Sequence, residues 1–382
     1  MKRGQLAKSI ANQRVQTGPL LEVQDLKTHF ATDLGMVRAV DGVSFTLDRG
    51  KTIGIVGESG SGKTILSRSV MGLLPSRNVE RSGSVVFEGQ EIGNLPPSAM
   101  REIWGTEMAM VFQDPMTSLN PVVKIGRQIT ESLRYHLKMS KADSTATAES
   151  LLRSVGIPEP ARRLEEYPPQ LSGGMRQRVT IAIALACGPT ILFADEPTTA
   201  LDVTVQAQIL DLLQDQQRDR NMSMVLVTHD LGVVAGRTDE IAVMYAGKIV
   251  EKAPTNALFA NVKMPYTEAL LKSIPKLENH SHTRLQVIAG RPPDLINPPK
   301  GCRFSPRCIY AQDKCREEEP PLQEAETPGH LFACWFPVGS PEGAEALARN
   351  RALLGGGLVD TTPPTEAAAP TTTESAPAPA EA

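Results

Sequence analysis

The segment that most constrains this chain is Gly57-Glu58-Ser59-Gly60-Ser61-Gly62-Lys63-Thr64, which satisfies the spacing G-x-x-x-x-G-K-[ST]. It follows a strand-like run, Thr52–Val56, and leads into a helical pattern. Glycines let the backbone curl until successive N–H groups converge on phosphate oxygens, and the helix that begins near Lys63 adds its positive dipole end. In such a loop Lys63 reaches the β- and γ-phosphates and the Thr64 hydroxyl ligates Mg²⁺. A match at four positions arises by chance in on the order of one chain in a hundred of this length. The strand before it and the helix after it make coincidence rarer still.

A second acidic element complements the loop. Ile191–Ala194 reads as a buried strand that ends in Asp195 and Glu196. At that end Asp195 would hold Mg²⁺ and Glu196 would polarise the attacking water as general base. Gln113 follows the strand-like Met108–Phe112, and His229 follows Met224–Thr228. Ligands of parallel sheets sit at the carboxyl ends of the strands, which is what raises these two polar residues above ordinary strand ends. Leu171-Ser172-Gly173-Gly174-Met175 is a further Gly-rich turn running into a helix, another anion site. Since the first loop already wraps the phosphates, a second grip makes most sense on the nucleotide of another subunit.

Strands alternating with helices predict an α/β domain with a largely parallel sheet, and the stretch from about 115 to 176 reads as a helical insertion. The character changes after Glu251. Pro265–Lys276 reads as one helix whose Leu270, Leu271 and Ile274 are packing residues, and a Pro-rich segment and four of the five cysteines follow. Thr361–Ala382 is Ala/Pro/Thr-rich, cannot bury enough apolar surface to offset chain entropy, and is expected to be disordered. A net charge of -3 argues against a nucleic-acid binder. The longest apolar run, Val179–Cys187, is too short to span a membrane and makes Cys187 a core position. No apolar segment follows the basic residues Lys2, Arg3 and Lys8, so no secretory signal is expected, and five cysteines do not point to a disulfide scaffold.

Taken in order, Gly57–Thr64, Gln113, Leu171–Met175, Ile191–Glu196, Ala200-Leu201-Asp202 and His229 resemble the Walker A, Q-loop, signature, Walker B, D-loop and H-loop of ABC ATPases. Asp195-Glu196-Pro197-Thr198-Thr199-Ala200-Leu201-Asp202-Val203-Thr204 and the cysteine-bearing tail look like the D-type ATP-binding subunits of bacterial dipeptide and oligopeptide importers. The resemblance covers about residues 20–340. It implies an ATPase domain at 19–262 with a helical subdomain near 115–176 and an extension at 263–340, while composition makes 1–18 a loose tail and 341–382 a disordered one. It also implies an ATP site built from Phe30 on the adenine and Gly57, Glu58, Ser59, Gly60, Ser61, Gly62, Lys63 and Thr64 on the phosphates, with Gln113, Asp195, Glu196 and His229 around the reacting group. Ser172, Gly173, Gly174 and Asp202 would complete the site in trans, from a second ATPase subunit in a heterodimer.

The remaining partners implied are two transmembrane permeases, docked on the helical insertion, and an extracytoplasmic peptide-binding protein; no nucleic acid is expected. The chain would then sit peripherally on the cytoplasmic face of the bacterial inner membrane. The same machinery importing nickel, an opine or glutathione is the alternative, and a soluble ABC ATPase outside transport a more distant one. Cys302, Cys308, Cys315 and Cys334 give C-x5-C-x6-C-x18-C, without the close C-x2–4-C pairs usual for zinc. Wider spacing suits an iron–sulfur cluster, and the resemblance implies [4Fe–4S] at these four; zinc and free thiols are the other readings.

Overall fold

The computed structural model describes residues 18–75, 77–114, 118–199, 201–274 and 288–353. Two sheets form its frame. The first is antiparallel, in the order β2-β1-β4-β5, from β1 (Leu21–Thr32), β2 (Gly35–Leu47), β4 (Val79–Phe87) and β5 (Gln90–Glu91). The second has the order β11-β12-β10-β9-β3-β8-β7-β6. Its strands are β3 (Thr52–Val56), β6 (Met108–Val111), β7 (Ile191–Asp195), β8 (Ser223–Thr228), β9 (Glu240–Tyr245), β10 (Lys248–Pro254), β11 (Gln323–Glu324) and β12 (Leu331–Phe332). The five strands β9-β3-β8-β7-β6 run parallel, and β10, β12 and β11 extend them antiparallel.

Every residue of β3, β7 and β8 is buried, because both faces of the sheet are covered. Side chains alternate between two cores. Ile53, Ile55, Phe193, Val225 and Val227 join Leu66 and Val70 of helix α1 (Lys63–Val70) in a core shared with Val23, Val40 and Phe45 of the antiparallel sheet. Val56, Leu192, Ala194, Met224 and Leu226 face the other way, into a core that runs on through the helical subdomain. That subdomain contains α2 (Ile125–His136) and α3 (Lys141–Ser154), which pack through Ile129, Leu133, Ala148 and Leu152, each fully buried. Two further helices return the chain to the sheet: α4 (Gly173–Leu185) and α5 (Val203–Arg220). Cys187 lies just beyond α4 and is half-buried, less enclosed than the apolar run predicts.

The C-terminal module is stitched onto the edge of the larger sheet by β12 against β10. Glu251 of β10 and His330 are both fully buried and joined at 2.8 Å, and the Glu251 carboxylate also accepts the backbone N–H groups of Lys263 and Met264. Helix α6 (Pro265–Lys272) opens the module.

One expectation is corrected. A disordered tail from 341 does not hold for its first part, since Pro341–Leu353 forms a helix, α7. Ser340 caps it by accepting the Gly343 N–H at 2.9 Å, Pro341 starts it without losing a helical hydrogen bond, and Ala and Glu propagate it. Ala346 is buried, and Asn350 donates to the carbonyls of Ile309 and Ala311. Thr361–Ala382, residues 1–17, Ala200 and the segment 275–287 lie outside the described residues.

Candidate functional site

The parallel register brings Val56, Val111, Asp195 and Thr228 to one edge of the sheet, so the residues that follow them gather there. The loop between β3 and α1 owes its path to two close approaches. A Cβ on Gly57 would lie 2.1 Å from the carbonyl oxygen of Met244, and one on Gly62 would lie 2.1 Å from that of Ala39. Gly62 also takes a φ of 101°, where a side chain is strained.

Lys63 is almost fully buried in the loop and donates to the carbonyls of Gly57 (2.8 Å) and Glu58 (3.0 Å). Burial pulls its pKa down, opposed mainly by the charges of Glu196 and Asp195. Burial likewise pushes the Asp195 carboxyl up. Thr64 Oγ1 donates to Asp195 Oδ1 at 3.0 Å, while Asp195 Oδ2 and Ser61 Oγ are buried without a partner. Unpaired buried oxygens are costly in themselves; here one belongs to the loop and the other lies beside Thr64.

Glu196 is the focus of the remaining side chains. Its Oε2 accepts from Gln113 Nε2 at 3.1 Å and from Thr199 Oγ1 at 3.0 Å, and it lies 3.4 Å from His229 Nδ1. Its Oε1 is 3.8 Å from Lys63 Nζ. The backbone of Glu196 adopts a φ of 44°, an uncommon conformation for a residue with a side chain and one that concentrates at functional sites. Residues 57–64, Gln113, Asp195, Glu196 and His229 are therefore brought together in the structure. Thr199 was not foreseen; its signal is position, three residues after Glu196 in the turn Pro197-Thr198-Thr199. Phe30 stands in β1 opposite Val37 and Val79, half-buried at the turn end of the hairpin.

Ser172, Gly173, Gly174 and Asp202 form a separate patch. Ser172 caps α4, its Oγ accepting the Met175 N–H at 3.3 Å, and Asp202 caps α5, accepting the Val205 N–H at 3.0 Å. The two caps lie against each other: a Cβ on Gly174 would meet Val205 at 2.8 Å, and one on Gly173 would meet Leu201 at 3.5 Å. Among the described residues no hydrogen bond or ion pair joins this patch to residues 57–64.

Cys302, Cys308, Cys315 and Cys334 all line one small cavity of about 10 Å³. Burial, reinforced by the neighbouring thiols, pushes Cys302 up to about 11 and Cys308 up to about 12, and raises Cys334 as well. Among the described residues no three His, Cys, Asp or Glu side chains are placed to hold a metal ion. No helix among them is long and apolar enough to cross a membrane.

Two family models match this chain. One, described as ABC transporter, covers residues 40–199, and the other, described as the C-terminal region of oligopeptide/dipeptide transporters, covers residues 250–315. The chain is 48% identical over 340 residues to the oligopeptide transport ATP-binding protein OppD of Bacillus subtilis, spanning 87% of this chain and 95% of that one. It is 49% identical over 319 residues to OppD of Salmonella typhimurium, spanning 84% and 94%. With the dipeptide transport ATP-binding protein DppD of Bacillus subtilis the identity is 48% over 318 residues, spanning 83% and 94%. Among solved structures, an ATP-binding cassette in a dimeric post-hydrolysis state with ADP and Pi is similar with a TM-score of 0.56 and 26% identity. That match covers 62% of this chain and 98% of the cassette.

Proposed function

The chain belongs to the ABC transporter ATPases, among the oligopeptide and dipeptide transport ATP-binding proteins, and from that premise we propose that its ATP hydrolysis powers import of dipeptides or oligopeptides through a membrane transporter. The observation that carries this is the clustering of Lys63, Gln113, Thr199 and His229 around Glu196, beside the phosphate loop. In the proposed reaction the loop N–H groups and Lys63 hold the β- and γ-phosphates of ATP, and Phe30 stacks on the adenine. Glu196 takes the proton of the attacking water, which Gln113 and Thr199 help to orient, and His229 bonds the γ-phosphate. Thr64, Asp195 and Gln113 would hold Mg²⁺, and the fit rests on Asp195 Oδ2, a buried oxygen without a hydrogen-bond partner next to the Thr64 hydroxyl. When bound, the ion offsets charge on the phosphates. A second ATPase subunit supplies Ser172-type contacts, and two permeases hold the assembly on the cytoplasmic face of the membrane.

Purification of the tagged chain from gently solubilised membranes tests this. Two polytopic permeases and a second ATPase are expected to come with it, and an associated peptide-binding protein would identify the cargo. Recovery with ribosomal or DNA-associated proteins alone would overturn the transport reading.

For the C-terminal module we propose a [4Fe–4S] cluster on Cys302, Cys308, Cys315 and Cys334. Support comes from the four thiols lining one cavity and from a spacing without the C-x2–4-C pairs usual for zinc. Chain purified without oxygen is expected to carry about four iron atoms and as much acid-labile sulfide, and to lose both in Cys315→Ala. Parent protein free of iron and sulfide would sink the assignment.

A further inference from the structure

The C-terminal module does more than cover the edge of the sheet, for it grips the phosphate loop at one peptide. Glu58, the second residue of the loop, pairs through both carboxylate oxygens with Arg307, at 2.6 and 2.9 Å. The Arg307 fork is fixed from its other side by the carbonyls of Ala289 and Ile288 and by the Tyr245 hydroxyl. This side chain is nearly buried, so the pair is shielded from solvent and bidentate, the geometry in which Arg–carboxylate contacts are strong and directional. The Glu58 N–H donates to the Tyr266 hydroxyl at 2.8 Å, and Tyr266 is fully buried in a ring cluster with Tyr245 and Phe304.

The peptide so held is the one that matters to Lys63. The Glu58 N–H and the Gly57 carbonyl are the two ends of a single rigid peptide plane. Tyr266 takes the N–H end; Lys63 Nζ is bound to the carbonyl end at 2.8 Å. Turning that plane would move the group that fixes the lysine. We propose that Tyr266 and Arg307 are positioning residues for ATP binding: the C-terminal module sets the orientation of the Gly57–Glu58 peptide and through it the placement of Lys63. The module reaches the other end of the site as well. Leu295 accepts the backbone N–H of Arg38 at 3.0 Å, in the hairpin that carries Phe30, and Arg303 pairs with Asp41 of the same strand.

The inference rests on residues 57–64 being the ATP site, and the test separates the two. ATP affinity of the full chain is measured by calorimetry with Mg²⁺, alongside KM and kcat and the melting temperature without nucleotide. Arg307→Ala is expected to weaken ATP binding and raise KM by about tenfold, with kcat within about twofold. Tyr266→Phe, which keeps the ring packing, is expected to lose about threefold, and Arg307→Lys to fall between parent and alanine. The double variant loses less than the product of the two, because both grips act on one peptide. Glu319→Gln, which removes the charge that the module sets against Lys248 of β10, retains parental affinity. Unchanged ATP affinity in both Arg307→Ala and Tyr266→Phe overturns the inference. So does an equal loss in Glu319→Gln, which would mark a general effect of the module. A parent chain that fails to bind ATP overturns the reading of the site, and the inference with it.

Discussion

Replacing Glu196 with glutamine is expected to lower ATP turnover by about 10³-fold, the scale of a general-base contribution, while ATP still binds. The substitution is nearly isosteric, and an amide can keep the hydrogen bond from Thr199 Oγ1 through its oxygen. What it removes is the capacity to accept a proton from water. It also removes the charge 3.8 Å from Lys63 Nζ, one of the influences holding that lysine protonated against burial. Since the lysine no longer divides its attraction between Glu196 and phosphate, ATP affinity is expected to stay equal or to rise by a few-fold. The pairing of retained binding with lost hydrolysis separates this role from a structural one, because a misfolded loop would lose both. Turnover by Glu196→Gln at the parental rate would remove Glu196 as the base and return the question to Gln113 and His229.

Much of this site is legible in local sequence because its logic is local. The glycine spacing of 57–64 reflects backbone that passes within van der Waals reach of Met244 and Ala39, and no other residue type fits there. Ile191–Asp195 reads as a buried strand because both of its faces meet apolar layers. Gln113 and His229 follow from the rule that places functional groups at strand ends. Other features are set by pairings between distant segments. Val37–Val40 and Val43–Leu47 look like two short strands, yet they belong to one strand whose register against β1 shifts at three places. Val79–Phe87 alternates only weakly, and its place in the sheet is decided by β1. Arg307 and Glu58 are 249 residues apart, and nothing in either neighbourhood announces the other. The helix at Pro341–Leu353 shows how composition misleads, since its Ala and Glu content looks like the tail beyond it, while Ala346 and Asn350 find a docking surface.

The patch around Ser172 carries the other large effect. Ser172 is exposed at the N-terminus of α4, so the helix presents free N–H groups and its positive dipole end outward, away from any bond to the phosphate loop of its own chain. If the patch completes the site of a second subunit, Ser172→Arg puts a long charged side chain into the contact between subunits. The isolated chain should then bind ATP with parental affinity, because residues 57–64 are untouched. Hydrolysis at the partner's site should fall by about 10²–10³-fold, the cost of losing donors aimed at developing charge. Loss of the N-cap adds about 1 kcal/mol of instability, too little to unfold a domain with two buried cores and readable as a small shift in melting temperature. The measurement is ATP binding by the isolated chain beside hydrolysis by the assembled pair. A Ser172→Arg chain that cannot bind ATP by itself would place the patch in its own site and remove the argument for a shared one. Parental hydrolysis in the assembled pair would mean that the signature-like turn does no more than cap a helix.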